Sequence, residues 1–175
     1  MVDGDLRKGS RYKRLNEDVK QGLSDYICAD AQLADCIYST NWDLLHYIPC
    51  GTAKDESPVR MLCSANMDKV VRQLQEHYDF VIIDVPSLNS AVDAQILTVK
   101  VDATILVTAV NSSKRRCLEE ARKQLVQAGG NLIGVVENKV DMEEYKKYIK
   151  DYDYFKKERY VENAKSAIKN KKKRA

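Results

Sequence analysis

Three short runs that are apolar at successive positions constrain this chain more than any other feature: they fall within 79–86, 103–110 and 131–138. A strand with one wet face alternates apolar and polar residues, whereas an unbroken apolar run reads as buried on both faces, the habit of parallel sheets. The stretches between the runs supply helices. Met67, Val70, Val71, Leu74 and Tyr78 recur at helical spacing before the first run. Cys117, Leu118, Ala121, Leu125 and Ala128 do so between the second and third, and Gly129-Gly130 ends that pattern. Repeated β-α-β units predict an α/β fold, a parallel sheet flanked by helices and covered on both faces. A further short strand is expected at 43–49, stopped by Pro49-Cys50-Gly51, with a short helix at 30–37 before it.

With 175 residues, 44% hydrophobic and 31% charged, the chain holds one core and is not globally disordered. The texture changes near residue 141. Residues 141–175 carry twelve Lys/Arg and seven Asp/Glu, against seventeen and nineteen in 1–140, so the whole positive excess lies in the tail. Five of the ten tyrosines (Tyr145, Tyr148, Tyr152, Tyr154 and Tyr160) are also there. We therefore divide the chain into a domain, 1–140, and a charged, tyrosine-rich tail, 141–175, either an amphipathic helix or a mobile segment. The five basic side chains of the last seven residues read as a solvated terminus, with nucleic acid or acidic lipid as alternative contacts.

Five cysteines, no two closer than eight residues, exclude a zinc cluster or redox pair, and His46 and His77 lack partners at metal-ligand spacing. No run of 18 apolar residues exists, and the first residues are charged rather than signal-like, so a cytoplasmic location is expected.

Chemistry points to three acids. Asp84 follows Phe80-Val81-Ile82-Ile83 at the C-terminal tip of an expected parallel strand, where α/β sheets bind ligands and a hard cation needs oxygen donors; capping of the turn before Pro86 is the plainer reading. Asp3 and Asp5, in Val2-Asp3-Gly4-Asp5-Leu6-Arg7-Lys8, lie two apart and so share a face of an extended chain. Both could approach one magnesium ion or one hydroxyl group, or simply form a solvated turn.

In order and spacing, that N-terminal motif, Gly22-Leu23-Ser24-Asp25, Tyr47-Ile48-Pro49-Cys50-Gly51, Ser57-Pro58, Leu62-Cys63-Ser64, Tyr78 to Pro86, Val92-Asp93-Ala94 and Gly134 to Lys139 resemble the bacterial tyrosine kinases that regulate capsule and exopolysaccharide synthesis. These belong to the deviant-Walker class of P-loop proteins, with the partitioning and cell-division ATPases. The resemblance implies an ATP- and magnesium-dependent kinase that phosphorylates a tyrosine cluster on its own tail. By position, Asp3 and Asp5 match the second Walker-type motif, which serves magnesium and the attacking hydroxyl, and Arg7 matches its basic residue. Asp84 matches the Walker B acid and, with Asp5, is the expected metal ligand. Asn138 lies where related ATPases contact the nucleotide base, though it also reads as a strand-terminating turn residue. Tyr145, Tyr148, Tyr152, Tyr154 and Tyr160 resemble the phospho-acceptor cluster; phosphates there would reverse the tail's positive balance. The implied partners are a membrane adaptor of the polysaccharide co-polymerase type, further kinase copies and protein substrates, which would hold the kinase at the inner face of the membrane. Nucleic acid is not expected.

The chain departs from this pattern in three places. Gly9 stands where the second motif continues with Pro, and Asp84-Val85-Pro86-Ser87 replaces an Asp-Thr-Pro-Pro turn. No Gly is followed by Lys-Ser or Lys-Thr, so the first strand and the phosphate-cradling loop are missing. A fragment, a miscalled start or a decayed paralogue would each account for this. The expectation is a sheet lacking an interior strand, with unpaired edges and exposed apolar surface, and weak nucleotide binding with little or no kinase activity. The rival readings are a non-catalytic phospho-acceptor or regulator and a partitioning-type ATPase.

Overall fold

In the computed structural model, the described residues are 1–8, 19–28, 31–53, 57–110, 115–141, 143, 145 and 146. The elements run β1 (Val2–Asp3), α1 (Leu23–Cys28), a 3-10 turn (Leu33–Cys36), β2 (Tyr38–Ser39), β3 (His46–Tyr47), α2 (Pro58–Leu62), α3 (Ala65–His77), β4 (Ile83–Asp84), α4 (Asp93–Leu97), β5 (Thr104–Ala109), α5 (Arg115–Gln127) and β6 (Leu132–Asn138). Two compact units emerge, 1–106 with 113–136, and 107–112 with 137–175. The hydrophobic core lies in the first.

α3 forms where the sequence pattern places it. Ser64 caps it by accepting the Met67 N–H at 3.2 Å, and Met67, Val70, Val71 and Leu74 turn one apolar stripe inward. These four join Val2, Leu23, Ile27, Ile48, Met61, Leu62 and Leu97 in the core. α5 ends in a Schellman motif: the Gly130 N–H reaches the Leu125 carbonyl, the Gly129 N–H reaches that of Val126, and Gly129 has φ 87°.

β1 is bonded on both sides. Its Val2 and Gly4 N–H groups donate to Ile82 and Asp84 carbonyls at 2.7 Å, in parallel register Val2↔Ile83 and Asp3↔Asp84. On the other side the Asp3 N–H donates to the Ile48 carbonyl at 2.9 Å and Ile48 returns a bond to Met1. β5 and β6 form a second two-stranded sheet, and β2 and β3 an antiparallel pair.

Three expectations need correction. The run at 79–86 yields only Ile83–Asp84 as strand, because its ladder extends only as far as its short partner β1. Likewise 43–49 yields only His46–Tyr47, since the chain turns at Leu44, which has φ 64°. Nor is the sheet covered on both faces: β5 and β6 alternate half-buried with exposed residues, leaving Ile105, Val107, Ile133 and Val135 more than half exposed. Phe80 and Ile82 are exposed as well, at 86% and 63%.

The contrast between inner and outer apolar residues is testable. Met67→Ala should lower unfolding free energy by about 2–5 kcal/mol in urea titrations, because Met67 is fully buried. Phe80→Ser should change it by less than about 0.5 kcal/mol while raising solubility.

Candidate active site

The parallel pairing brings the N-terminal acids to the end of β4. Gly4 makes this possible: a Cβ there would lie 2.9 Å from the Asp84 carbonyl oxygen and 3.0 Å from Ile83 Cγ2, so any side chain would push the strands apart. Asp3 is fully buried. Its Oδ1 accepts the Asp5 N–H at 3.0 Å and its Oδ2 the Tyr47 hydroxyl at 3.3 Å. This carboxylate thus shapes the turn from inside. Asp5 continues the same logic one step outward, its Oδ1 accepting the N–H groups of Arg7 and Lys8, each at 3.0 Å. Asp5 Oδ2 has no partner among the described residues, and Asp84 is exposed with its carboxylate likewise open.

Arg7 is held by a residue to which the sequence motif attached no role. Its Nε and Nη2 donate to the two oxygens of Asp93, both at 2.9 Å, and Asp93 is fully buried in the first turn of α4. These hydrogen bonds, and then the attraction of the Asp93 charge, raise the Arg7 pKa further and fix the guanidinium plane. Asp25 is the second unforeseen anchor. It accepts the N–H groups of Gly22, Thr52 and Ala53 and the Thr52 hydroxyl, at 2.8–3.0 Å, tying α1 to the loop after Ile48. Gly51 lies at φ 90°, and a Cβ on it would sit 2.4 Å from Ser24 Oγ. The signal for both acids was in the sequence: each stands in the first turn of a short helix, next to residues of a shared motif.

The field of the acids is felt at Cys50, whose thiol pKa is pushed up by burial first and then by Asp3 and Asp5. Cys36 is pushed up to about 11, by burial and then by Asp25 and Asp35. Asn138 is exposed at the end of β6; its Oδ1 accepts the N–H of Lys139, which has φ 59°, so the side chain serves the turn. Of the tail tyrosines only Tyr145 lies among the described residues, 40% exposed. Tyr148, Tyr152, Tyr154 and Tyr160 lie outside them.

An acid-bearing turn beside the C-terminal end of a parallel strand, in a chain that alternates strands with helices, is an α/β arrangement with its ligand-facing edge at those acids. The chain's relatives narrow the class. The chain is 33% identical over 143 residues to the tyrosine-protein kinase CpsD of Streptococcus pneumoniae serotype 4, a match spanning 81% of this chain and 63% of that protein. In fold it matches the VpsO kinase domain (TM-score 0.73, 26% identity, 80% of this chain and 69% of that one). It also matches the kinase domain of the Escherichia coli tyrosine kinase ETK (TM-score 0.73, 26% identity, 78% and 53%). No protein-family model matches. The chain belongs to the bacterial tyrosine-protein kinase family, and it spans somewhat under two thirds of the pneumococcal relative's length.

Thiol reactivity checks the described burial and field. At pH 8, iodoacetamide should label the exposed Cys28 and Cys63 well before Cys36 and Cys50, read by peptide mass mapping. Early labelling of Cys50 would contradict the raised thiol pKa.

Proposed function

We propose that this chain is the acid-bearing part of an ATP-dependent protein-tyrosine kinase that governs capsular or exopolysaccharide synthesis, acting on a tail tyrosine cluster and on other proteins. The observation that carries this reading is the Asp3↔Asp84 register, which sets Asp5 and Asp84, both with open carboxylate oxygens, beside an anchored Arg7.

The donor set can be tested against magnesium. Among the described residues no group of three or more His, Cys, Asp or Glu side chains could hold a metal alone. Magnesium needs only one or two carboxylates when nucleotide phosphates complete its shell, and Asp5 and Asp84 fit that role. When bound, the metal supplies neutralisation of phosphate charge. The chain's own residues do the rest. Asp3 holds the Asp5 turn in place, Asp5 and Asp84 offer oxygens, and the Asp93-fixed guanidinium of Arg7 presents donors to a phosphoryl oxygen. We place Asn138 at the nucleotide base, supported by family position alone. The five tail tyrosines are proposed acceptors on the same footing.

No described helix is long and apolar enough to cross a membrane. We propose that a membrane adaptor recruits the kinase to the inner face of the membrane, and that copies of the kinase phosphorylate one another. Residues 1–175 alone carry no Gly-Lys-Ser/Thr loop, so we expect them to bind ATP weakly and to give no ATP-dependent phosphotyrosine.

The decisive experiment replaces the 143 matched residues of the pneumococcal relative with the corresponding residues of this chain. The chimera should accumulate phosphotyrosine with ATP and magnesium, and Asp5→Asn or Asp84→Asn should each lower the rate on the order of 100-fold. A folded chimera that transfers no phosphate would count against the kinase reading.

A further inference from the structure

One side chain of the β2–β3 pair reaches the acids from behind, and the mechanism above gives it no part. Tyr47 is fully buried, and its hydroxyl donates to Asp3 Oδ2 at 3.3 Å, across 44 positions of chain. Register accounts for the meeting. β1 and β3 are parallel neighbours at Val2↔Ile48, so Asp3 and Tyr47, each one residue from that pair, project together from the opposite face. β2 backs β3 in antiparallel register, Tyr38↔Tyr47. Thr40 ties the turn between the two strands, its Oγ1 donating to the Leu45 carbonyl at 2.8 Å and accepting the Trp42 N–H at 3.1 Å. Tyr47 thus approaches Asp3 from a braced strand.

An aliphatic residue would serve core packing at this strand position without bringing a polar atom into it. A buried phenol needs a partner, and a buried carboxylate needs donors, so the pairing answers both demands. Its effect reaches further than Asp3. The last torsion of an aspartate is soft and roughly two-fold, so one donor alone leaves the carboxylate plane free to turn. Held at Oδ2 by the phenol, Asp3 keeps Oδ1 on the Asp5 N–H at 3.0 Å. Asp5 Oδ1 in turn holds the N–H groups of Arg7 and Lys8.

We propose that Tyr47 is a positioning residue for phosphoryl transfer: its hydroxyl locks the Asp3 carboxylate, Asp3 locks the turn, and the open oxygen of Asp5 is thereby held in register with Asp84. The proposal rests on the kinase reading for the reaction it serves. Tyr47 is closed to solvent and touches no substrate, so it acts through Asp3 alone.

Tyr47→Phe removes the hydroxyl and keeps the ring. Tyr38→Phe is the control, because the Tyr38 hydroxyl serves the backbone of Lys20 and Gln21 rather than the acids. Amide hydrogen exchange is followed by NMR on the full chain without nucleotide. Tyr47→Phe should speed exchange at the Asp5 amide roughly tenfold while leaving Val71 and Leu74 of α3 unchanged, and Tyr38→Phe should leave Asp5 unchanged. In the chimera with the pneumococcal relative, Tyr47→Phe should lower kcat about tenfold with KM for the tyrosine substrate unchanged, and raise the magnesium concentration that gives half-maximal rate. Unchanged exchange at Asp5 would overturn the assignment. So would equal acceleration at Asp5, Val71 and Leu74, the same acceleration from Tyr38→Phe, or a Tyr47→Phe chain that does not fold, each of which marks a merely structural hydroxyl. An inactive chimera counts against the kinase reading, while exchange still decides whether Tyr47 holds the turn. An active chimera whose kcat ignores Tyr47→Phe removes the positioning role and leaves the kinase reading standing.

Discussion

The site depends on β1 being an interior strand. Two residues, Val2 and Asp3, are bonded to β4 on one edge and to Ile48 on the other, so their backbone cannot shift without breaking ladders on both sides. Everything chemical is then a short lever from that fixed point. Asp5 is two residues on, Arg7 four, and Asp84 is the partner of Asp3 across the pair. Because the partner strands must approach closely at Gly4, the same constraint that sets the strand spacing also sets the acid spacing.

Around this strand the charges divide their work by depth. The most buried carboxylates, Asp3, Asp25 and Asp93, are committed to backbone N–H groups, a hydroxyl or a guanidinium, as burial of an anion demands. The more accessible ones, Asp5 and Asp84, keep open oxygens. A gradient of this kind separates the groups that build the site from those that can meet a ligand, and it does so within one turn of chain. Asp3, fully buried, accepts from the turn that carries Asp5 and from the Tyr47 hydroxyl.

Much of this was legible in the sequence because periodicity and order are local properties. The stripe of α3, the double-glycine end of α5 and the strands β5 and β6 followed from residue type and spacing, and the order of the motifs pointed to the family. What stayed hidden was pairwise. Nothing in Val92-Asp93-Ala94 says that Asp93 faces Arg7, 86 positions away, and nothing in Gly22-Leu23-Ser24-Asp25 says that Asp25 clamps Thr52 and Ala53. Strand extent failed for a related reason: Phe80, Val81 and Ile82 have strand character, but a ladder ends where its partner ends, and β1 has two residues. The cover expected over both faces of β5 and β6 failed because apolar composition tells what a residue would bury against, not whether such a surface lies beside it.

The exposed apolar side chains of β5 and β6 carry a consequence for how such a chain persists in a cell. Exposed strand side chains such as Ile105, Ile133 and Val135 are what chaperones and growing β-aggregates both recognise. The working concentration of the chain is then set less by the stability of its core than by how quickly those side chains find cover.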